Sequence, residues 1–517
     1  MLVKEKENFI LIECDQLRPD FLSCYGFSMK TSPDIDRLAM EGVCFEGAYT
    51  PIPLTIPADV SLFTGRFAKA HGIRTNQPME GARFTKDLTQ VLREAGYQIA
   101  LIGKAMTGLL RLGSPGCVLK PEDYYIAYMH EYGPPRKGCE KVDGEFNTWM
   151  GRLNHWISME PTPFPLDCQY PTRIAEDCIT YLKEHSKEPF FLRFFTPEPH
   201  NPYQVPIPYW DMFPPDKVPD RVAGPEYLRE KGFPWDWELK LIQHYHPEYD
   251  PEKDDTIWRR YRSNYCGMIR LINDAIGKFL DFLDSSGLSE RTHVFFLSDH
   301  GDYVGDFGLL RKGVGVPECL SRVPFIWRGP GISKGKVVKD AFVSLVDIMP
   351  TICEIVGVEP PLGVQGRSIV SILQDKPYPK EEFSSIYVEQ GTGGRRVHTE
   401  FNHRSCMIRN RAGGRDTFQE LNIVTQGGSI KMLRKGDWKL IFDWEKFPEL
   451  YNVVEDPVER RNLFGDPRYQ ELGLEMLQDL FRWTVRTEEQ FPWPVTDFSR
   501  WEEYLRYRMK LRESINP

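Results

Sequence analysis

A chain of 517 residues with 41% hydrophobic, 27% charged and 13% aromatic residues has an ordinary globular composition. Its length suits a large domain with a smaller one attached. With 65 Lys and Arg against 74 Asp and Glu, the formal charge is −9, the wrong sign for a general nucleic-acid binder. A local cluster of Lys and His can still hold a small anion inside such a protein.

No apolar run is long enough to cross a membrane. The opening segment MLVKEKENFILIECD has no apolar signal core before its first strand, so no cleaved leader is expected. The 11 Cys are scattered, form no CxxC and suggest no disulfide framework. These features predict a reduced cytoplasmic protein that binds neither membrane nor nucleic acid.

Taken in order, residues 8–14 (NFILIEC) form a mostly apolar run ending on Asp15, the pattern of a buried parallel strand. Residues 33–41 (PDIDRLAME) predict a helix, with Ser32 as cap, Pro33 in the first turn and Gly42 as stop. A short helix is expected near 57–63, another over 88–95, and a strand over 97–102 closed by Gly103. A helix over about 174–184 leads to a strand at 189–195, and a long amphipathic helix over about 255–283 precedes a strand at 292–297. A strand at 323–327 and a helix at 347–356 continue the theme.

This alternation predicts an α/β fold, a mostly parallel sheet covered by helices on both faces. Ligands of such sheets bind outside the carboxyl ends of the strands. Asp15, Lys104, His200 and Asp299 all fall at or just beyond predicted ends, so four distant segments aim polar groups at one rim. Residues 110–170 and 201–250 are rich in Pro, Gly and aromatics and read as long loops or lids over it. The character changes after about residue 375. SIKMLRKGDWKLIFD (429–443) looks like a hairpin with a KGD turn, and a helix follows from about 468. The expected division is therefore a catalytic α/β domain over 1–375 and a smaller α+β subdomain over 376–517.

Asp15-Gln16 and Asp299-His300 bring two carboxylates, an amide oxygen and an imidazole to strand ends, a mixed O/N shell for one divalent cation. Glycines 301, 305, 308 and 313 allow tight turns beside a ligand. In TPIPLTIPADVSLFTGR (50–66), Thr55 falls at a helix start, where free N–H groups favour anions. Its hydroxyl is either a nucleophile or only a cap; spacing leaves both readings open. Asp59 reads equally as an inward carboxylate or as a solvent-facing one at a helix N-terminus. His71 reads as a loop-structuring histidine, and His244 and His246 as lid or surface residues. The run RWEEYLRYRMKLRE (501–514) reads as an amphipathic helix for its own domain or a second subunit.

The segments DQLRPDFLSCYG, SPDIDRLAMEGVCFEGAYT, LTIPADVSLFTGR, IGK, PEPHNPY, SDHGDYVGDFGLLRKG and DWKLIFD…ELYNVVEDPVERRNL follow one another in the order found in sulfatases. The chain thus resembles that family, within the alkaline phosphatase superfamily, from about residue 8 to 465. Its nearest resemblance is to phosphonate monoester hydrolases, which act on phosphonate monoesters, phosphodiesters and aryl sulfates. The resemblance implies an alkaline-phosphatase-like fold and a metal pocket of Asp15, Gln16, Asp299 and His300, with Gln16 where typical sulfatases carry Asp. It further implies Lys312 near the transferred group, His200 as general acid, and Asn76, Lys104 and Thr107 as contacts to the substrate anion. A homo-oligomer is implied as well.

The departures from the pattern set the chemistry. Thr55 stands where sulfatases have the Cys or Ser that becomes formylglycine, and its β-methyl forbids that aldehyde. Asp59 replaces the motif Arg, Met106 the histidine of GKxHxG, and Phe307 the histidine of GDHG. The expected activity is metal-dependent hydrolysis of phosphodiesters or phosphonate monoesters through a Thr55 phospho-enzyme. The alternatives are a sulfatase acting without formylglycine and a degenerate anion-binding homologue. One metal is expected, because Lys312 occupies the second-ion position with a like charge. The shell suits Mn²⁺, Ca²⁺, Mg²⁺ or Zn²⁺.

Overall fold

The computed structural model describes residues 6–76, 82–104, 125–127, 135–154, 156–313, 315–391, 393 and 428–488. Nine strands occupy its first two thirds: β1 (Asn8–Asp15), β2 (Val43–Phe45), β3 (Ala48–Tyr49), β4 (Gln98–Gly103), β5 (Tyr125–Ala127), β6 (Phe190–Pro199), β7 (Thr292–Ser298), β8 (Phe325–Arg328) and β9 (Lys336–Val338). After them come β10 (Val343–Ser344), β11 (Ser385–Gln390), β12 (Ile430–Lys435), β13 (Trp438–Asp443) and β14 (Glu449–Asn452).

Eight strands form one sheet in the order β5-β4-β6-β1-β7-β8-β2-β9. From β5 to β7 every pairing is parallel. β8 runs antiparallel to both β7 and β2, so the strand expected near 323–327 forms but against the predicted direction. Its reason lies in the connection from β7, whose helical pieces among the described residues are the short turns Asp306–Gly308 and Glu318–Ser321. With no crossover helix to carry the chain back along the sheet, the next strand starts from the end where β7 finished.

Alternation along β1 shows why both faces are covered. Ile10, Ile12 and Cys14 join a core with residues of the helices Tyr170–His185 and Thr256–Ser285, whereas Phe9 and Leu11 join a second core with those of Thr55–Thr64, Leu88–Glu94 and Ile348–Val356. Each large apolar side chain fully buried this way contributes about 1.5–3 kcal/mol before entropy is counted. The two stretches read as loops contain helices, Glu140–Leu153 in the first and Trp235–Tyr245 among those of the second. In the latter, Trp237, Leu241 and Ile242 are buried on one helical face, a spacing hidden by the Pro and aromatics around it.

Strands β11 to β14 make an antiparallel sheet, with β12 and β13 forming the expected hairpin around Gly436 and Asp437. The helix Gln470–Thr487 packs Met476, Leu480 and Trp483 against Tyr387, Leu433, Leu440 and Leu450 of that sheet, in a cluster that Phe67 and Val346 also join. The run 501–514 lies outside the described residues. No described helix is long and apolar enough to cross a membrane, and the nine described cysteines are unpaired.

Candidate active site

Asp15 is the last residue of β1, Lys104 follows β4, His200 follows β6, and Asp299-His300 follow β7. Because β4, β6, β1 and β7 are neighbours in the sheet, the four segments meet at one rim as expected. Gly103 turns β4 off at φ +108°, and a Cβ there would sit 1.9 Å from the Phe195 carbonyl oxygen. Only glycine allows β4 to end so close to β6 and deliver Lys104. The Lys104 ammonium then donates to Asp15 Oδ2 at 2.6 Å.

Asp15, Asp299 and His300 are buried, and each brings a ligand atom to within 4.8 Å of the others. Asp299 Oδ1 accepts from the backbone N–H groups of Gln16 at 3.0 Å and of His300 at 2.8 Å. Its Oδ2 has no hydrogen-bond partner, and neither do Asp15 Oδ1 and Gln16 Oε1. His300 Nδ1 lies 2.8 Å from the Gly301 carbonyl, to which only an N–H can donate; the lone pair of the neutral ring is therefore on Nε2. That Nε2 lies 3.4 Å from Asp299 Oδ2 and 3.6 Å from Asp15 Oδ1.

Burial pushes the Asp299 carboxyl well up, and the Asp15 charge adds to the effect. Burial also pushes Asp15 up, but the Lys104 ammonium, then His200, Lys312 and His300, outweigh it and hold that group anionic. Burial, then Lys312, lowers His300 to about 3. A divalent cation fits this donor set: three buried oxygens without partners and one imidazole lone pair are what it would satisfy.

Thr55 opens the helix Thr55–Thr64 and is 4% exposed. The capping reading fails, because Leu54 is the N-cap residue and Thr55 itself is the first residue of the helix. Instead Thr55 Oγ1 lies 3.0 Å from His300 Nε2 and receives a hydrogen bond from Lys312 Nζ at 2.8 Å. Lys312 Nζ is also 3.0 Å from His300 Nε2, so hydroxyl, ammonium and imidazole form a triangle. Burial lowers the Lys312 pKa, against the pull of Asp15 and Asp299. Asn76 Oδ1 accepts from the Ile56 N–H at 3.0 Å, anchoring the first turn of the same helix. His200 Nδ1 lies 2.8 Å from the Asn201 carbonyl. Thr107 and Met106 lie outside the described residues.

Several residues that sequence reasoning missed, or left undecided, support this rim. Asp59 is fully buried and paired with Arg193, which corrects the solvent-facing reading. Arg193 of β6 also pairs with Glu13 of β1 at 2.7 Å. Odd-numbered residues of β1 share a face, so Glu13 lies one pleat below Asp15 on the side of the Thr55 helix. Burial raises Glu13 to about 8 and Asp59 to about 6, against the lowering effect of Arg193. A lone Glu in FILIEC and a lone Arg in FFLRFF were the available signals, since charges inside buried strands need partners. Asp302, Tyr203 and Tyr261 hold the Gln16 amide from behind. Phe307 packs with Trp235 and Tyr303 in the core beyond.

A mostly parallel sheet with a carboxylate–imidazole pocket at its strand ends, and a hydroxyl beside an ammonium above it, defines an alkaline-phosphatase-like hydrolase. The model of the sulfatase family matches residues 7–358, and the chain belongs to that family, within the alkaline phosphatase superfamily. It is similar to the multifunctional alkaline phosphatase superfamily protein PehA of Trinickia caryophylli, with 26% identity over 93% of this chain and 95% of that one. An arylsulfatase of Clostridium perfringens is 28% identical over 72% of this chain and 79% of its own. Among solved structures, the phosphonate monoester hydrolase of Agrobacterium radiobacter superposes with a TM-score of 0.74 at 22% identity, over 93% of this chain and 96% of that one.

Proposed function

We propose that this chain hydrolyses phosphodiesters or phosphonate monoesters with Thr55 as nucleophile. The observation that carries the reading is the position of Thr55 Oγ1, 3.0 Å from a neutral imidazole nitrogen and 2.8 Å from the Lys312 ammonium. A hydroxyl so placed loses its proton more readily, because the cation beside it stabilises the alkoxide. One divalent cation (Mn²⁺, Ca²⁺, Mg²⁺ or Zn²⁺) would be held by Asp15, Gln16, Asp299 and His300 and would supply positive charge to the site. Lys104, Asn76 and Thr107 are proposed to orient the remaining oxygens.

The chemistry runs in two displacements. Thr55 Oγ1 gives its proton to solvent and bonds to phosphorus as the P–O bond to the leaving group breaks, and His200 protonates the departing oxygen. Water, giving a proton to the now neutral His200, then attacks phosphorus as the Thr55 Oγ1–P bond breaks; the freed Thr55 oxygen takes a proton from solvent, leaving the phosphate monoester or phosphonate. An aldehyde hydrate can expel its ester by collapsing, but threonine has no second oxygen on Cβ. Its ester must be attacked at the central atom, which favours phosphorus over sulfur.

The second reading is a sulfatase acting without formylglycine, favoured by the family model and by the similarity to an arylsulfatase. An anion-binding protein without turnover is the weaker alternative, since two buried carboxylates, Asp15 and Asp299, set beside a half-buried Lys312 have little structural use. The test is a rate comparison on metal-loaded protein with aryl sulfate, aryl phosphate, bis-aryl phosphodiester and aryl phenylphosphonate. Fastest turnover of diester or phosphonate is expected. Preferential sulfate turnover would select the second reading, and no turnover the third.

A further inference from the structure

Gln16 has a problem of orientation. A side-chain amide can present oxygen or nitrogen in the same space, and only the oxygen can hold a cation. Its backbone sits at φ +73°, an unusual conformation for a residue with a side chain, and its N–H donates to Asp299. The backbone is therefore committed, and the amide must be fixed separately.

The hydrogen bonds around Asp302 fix it. Gln16 Nε2 donates to Asp302 Oδ2 and, at 2.9 Å, to the Tyr203 hydroxyl. Tyr203 spends its one proton on Asp302 Oδ2 at 2.7 Å, so towards Gln16 it can only accept. Tyr261 donates to Asp302 Oδ1, and so does the Val304 N–H at 2.8 Å. The carboxylate thus receives four donors, and both amide hydrogens of Gln16 face acceptors. Turning the amide over would set its oxygen against a carboxylate and lose both bonds. Gln16 Oε1 points away from this network, buried and without a hydrogen-bond partner.

We propose that Asp302 is the positioning residue of the metal pocket: with Tyr203 and Tyr261 it locks the Gln16 amide so that Oε1, never Nε2, is offered to the cation. This explains why position 16 carries an amide. A carboxylate there could not donate to Asp302 and would face a second carboxylate across the same gap. Gln16 and Asp302 are therefore one unit, in which the negative charge sits behind the amide instead of on the ligand. The inference rests on reading Gln16 as a metal ligand.

The test is calorimetric titration of Mn²⁺ into the metal-free full chain, with no substrate present. Gln16→Ala and Asp302→Ala should each weaken Mn²⁺ binding about 10- to 100-fold, the range found for such supporting partners. The double variant should bind no more weakly than the worse single one, because Asp302 acts through the amide. Unchanged affinity in Asp302→Ala, or losses that multiply in the double variant, would overturn the inference and leave the ligand reading standing. Unchanged affinity in Gln16→Ala would overturn both. If Asp302→Ala does not fold, Asp302→Asn replaces it. That change should weaken binding in the wild-type background and strengthen it in Gln16→Glu, where it removes the opposing carboxylate. The same sign in both backgrounds would refute the coupling.

Discussion

The reactivity proposed for Thr55 rests on neighbours that arrive from elsewhere in the chain: His300 beyond β7 and Lys312 a short loop later. Thr55→Ala should abolish turnover while leaving the melting temperature nearly unchanged, whereas Thr55→Ser should retain activity because the hydroxyl stays. Full activity in the alanine variant, measured with the ester panel, would remove Thr55 from the mechanism. Loss of the ammonium in Lys312→Ala should lower kcat by about 10²–10³-fold, the cost of removing one preorganised donor from a developing anion.

His71 gives a prediction of a different kind. Its Nδ1 accepts from the Ile73 N–H at 3.1 Å and its Nε2 lies 2.9 Å from Ser61 Oγ, so the folded ring has no room for a second proton. Burial accordingly lowers it to about 3, from 6.5 in an unfolded chain. Between these values the unfolded state binds more protons, so stability is complete above pH 6.5 and falls as pH drops. Denaturant titrations should show His71→Gln losing less stability than wild type between pH 6 and 5, by up to about 1.4 kcal/mol per pH unit. Parallel profiles would contradict it. The sequence pointed to these residues by type, but not that Thr55 would leave the cap to Leu54, because side-chain direction depends on partners hundreds of residues away.

At the scale of elements, the helix carrying Thr55 is fastened to the sheet by Asp59, one turn on, through Arg193 to Glu13. Arg193→Met would leave two buried carboxylates facing each other, and equilibrium denaturation should show a loss of about 3–5 kcal/mol. A loss below 1 kcal/mol would mean the pair is solvated and does not clamp the helix. Strands β1, β4, β6 and β7 were legible because each is a compact apolar run closed by a polar residue or glycine. The direction of β8 was not, since it depends on whether the preceding connection holds a crossover helix. The helix Trp235–Tyr245 was hidden for a local reason, its apolar spacing being crowded by the Pro and aromatic residues around it in the sequence.

For the whole molecule, the rim where four parallel strands end is the proposed catalytic centre, and it gathers several buried oxygens that no hydrogen bond satisfies. Asp15, Gln16 and Asp299 each hold a buried oxygen without a partner there. Metal binding should therefore stabilise the fold, by about 2.7 kcal/mol at a free concentration one hundred times Kd. Thermal melts with and without chelator measure this, and identical melts would argue against the pocket. Elemental analysis should return about one equivalent of metal, since Lys312 holds the neighbouring position as a cation. The order of motifs made this architecture legible from sequence, whereas the clamp below Asp15 and the amide lock behind Gln16 became visible only once the strands were aligned.

The most direct measurement is to quench metal-loaded protein during turnover of an aryl phenylphosphonate and to map the peptides by mass spectrometry. The proposed mechanism predicts a phenylphosphonyl group on Thr55, absent from Thr55→Ala. Turnover with an unmodified Thr55 at every quench time, or with the adduct on another residue, would contradict it.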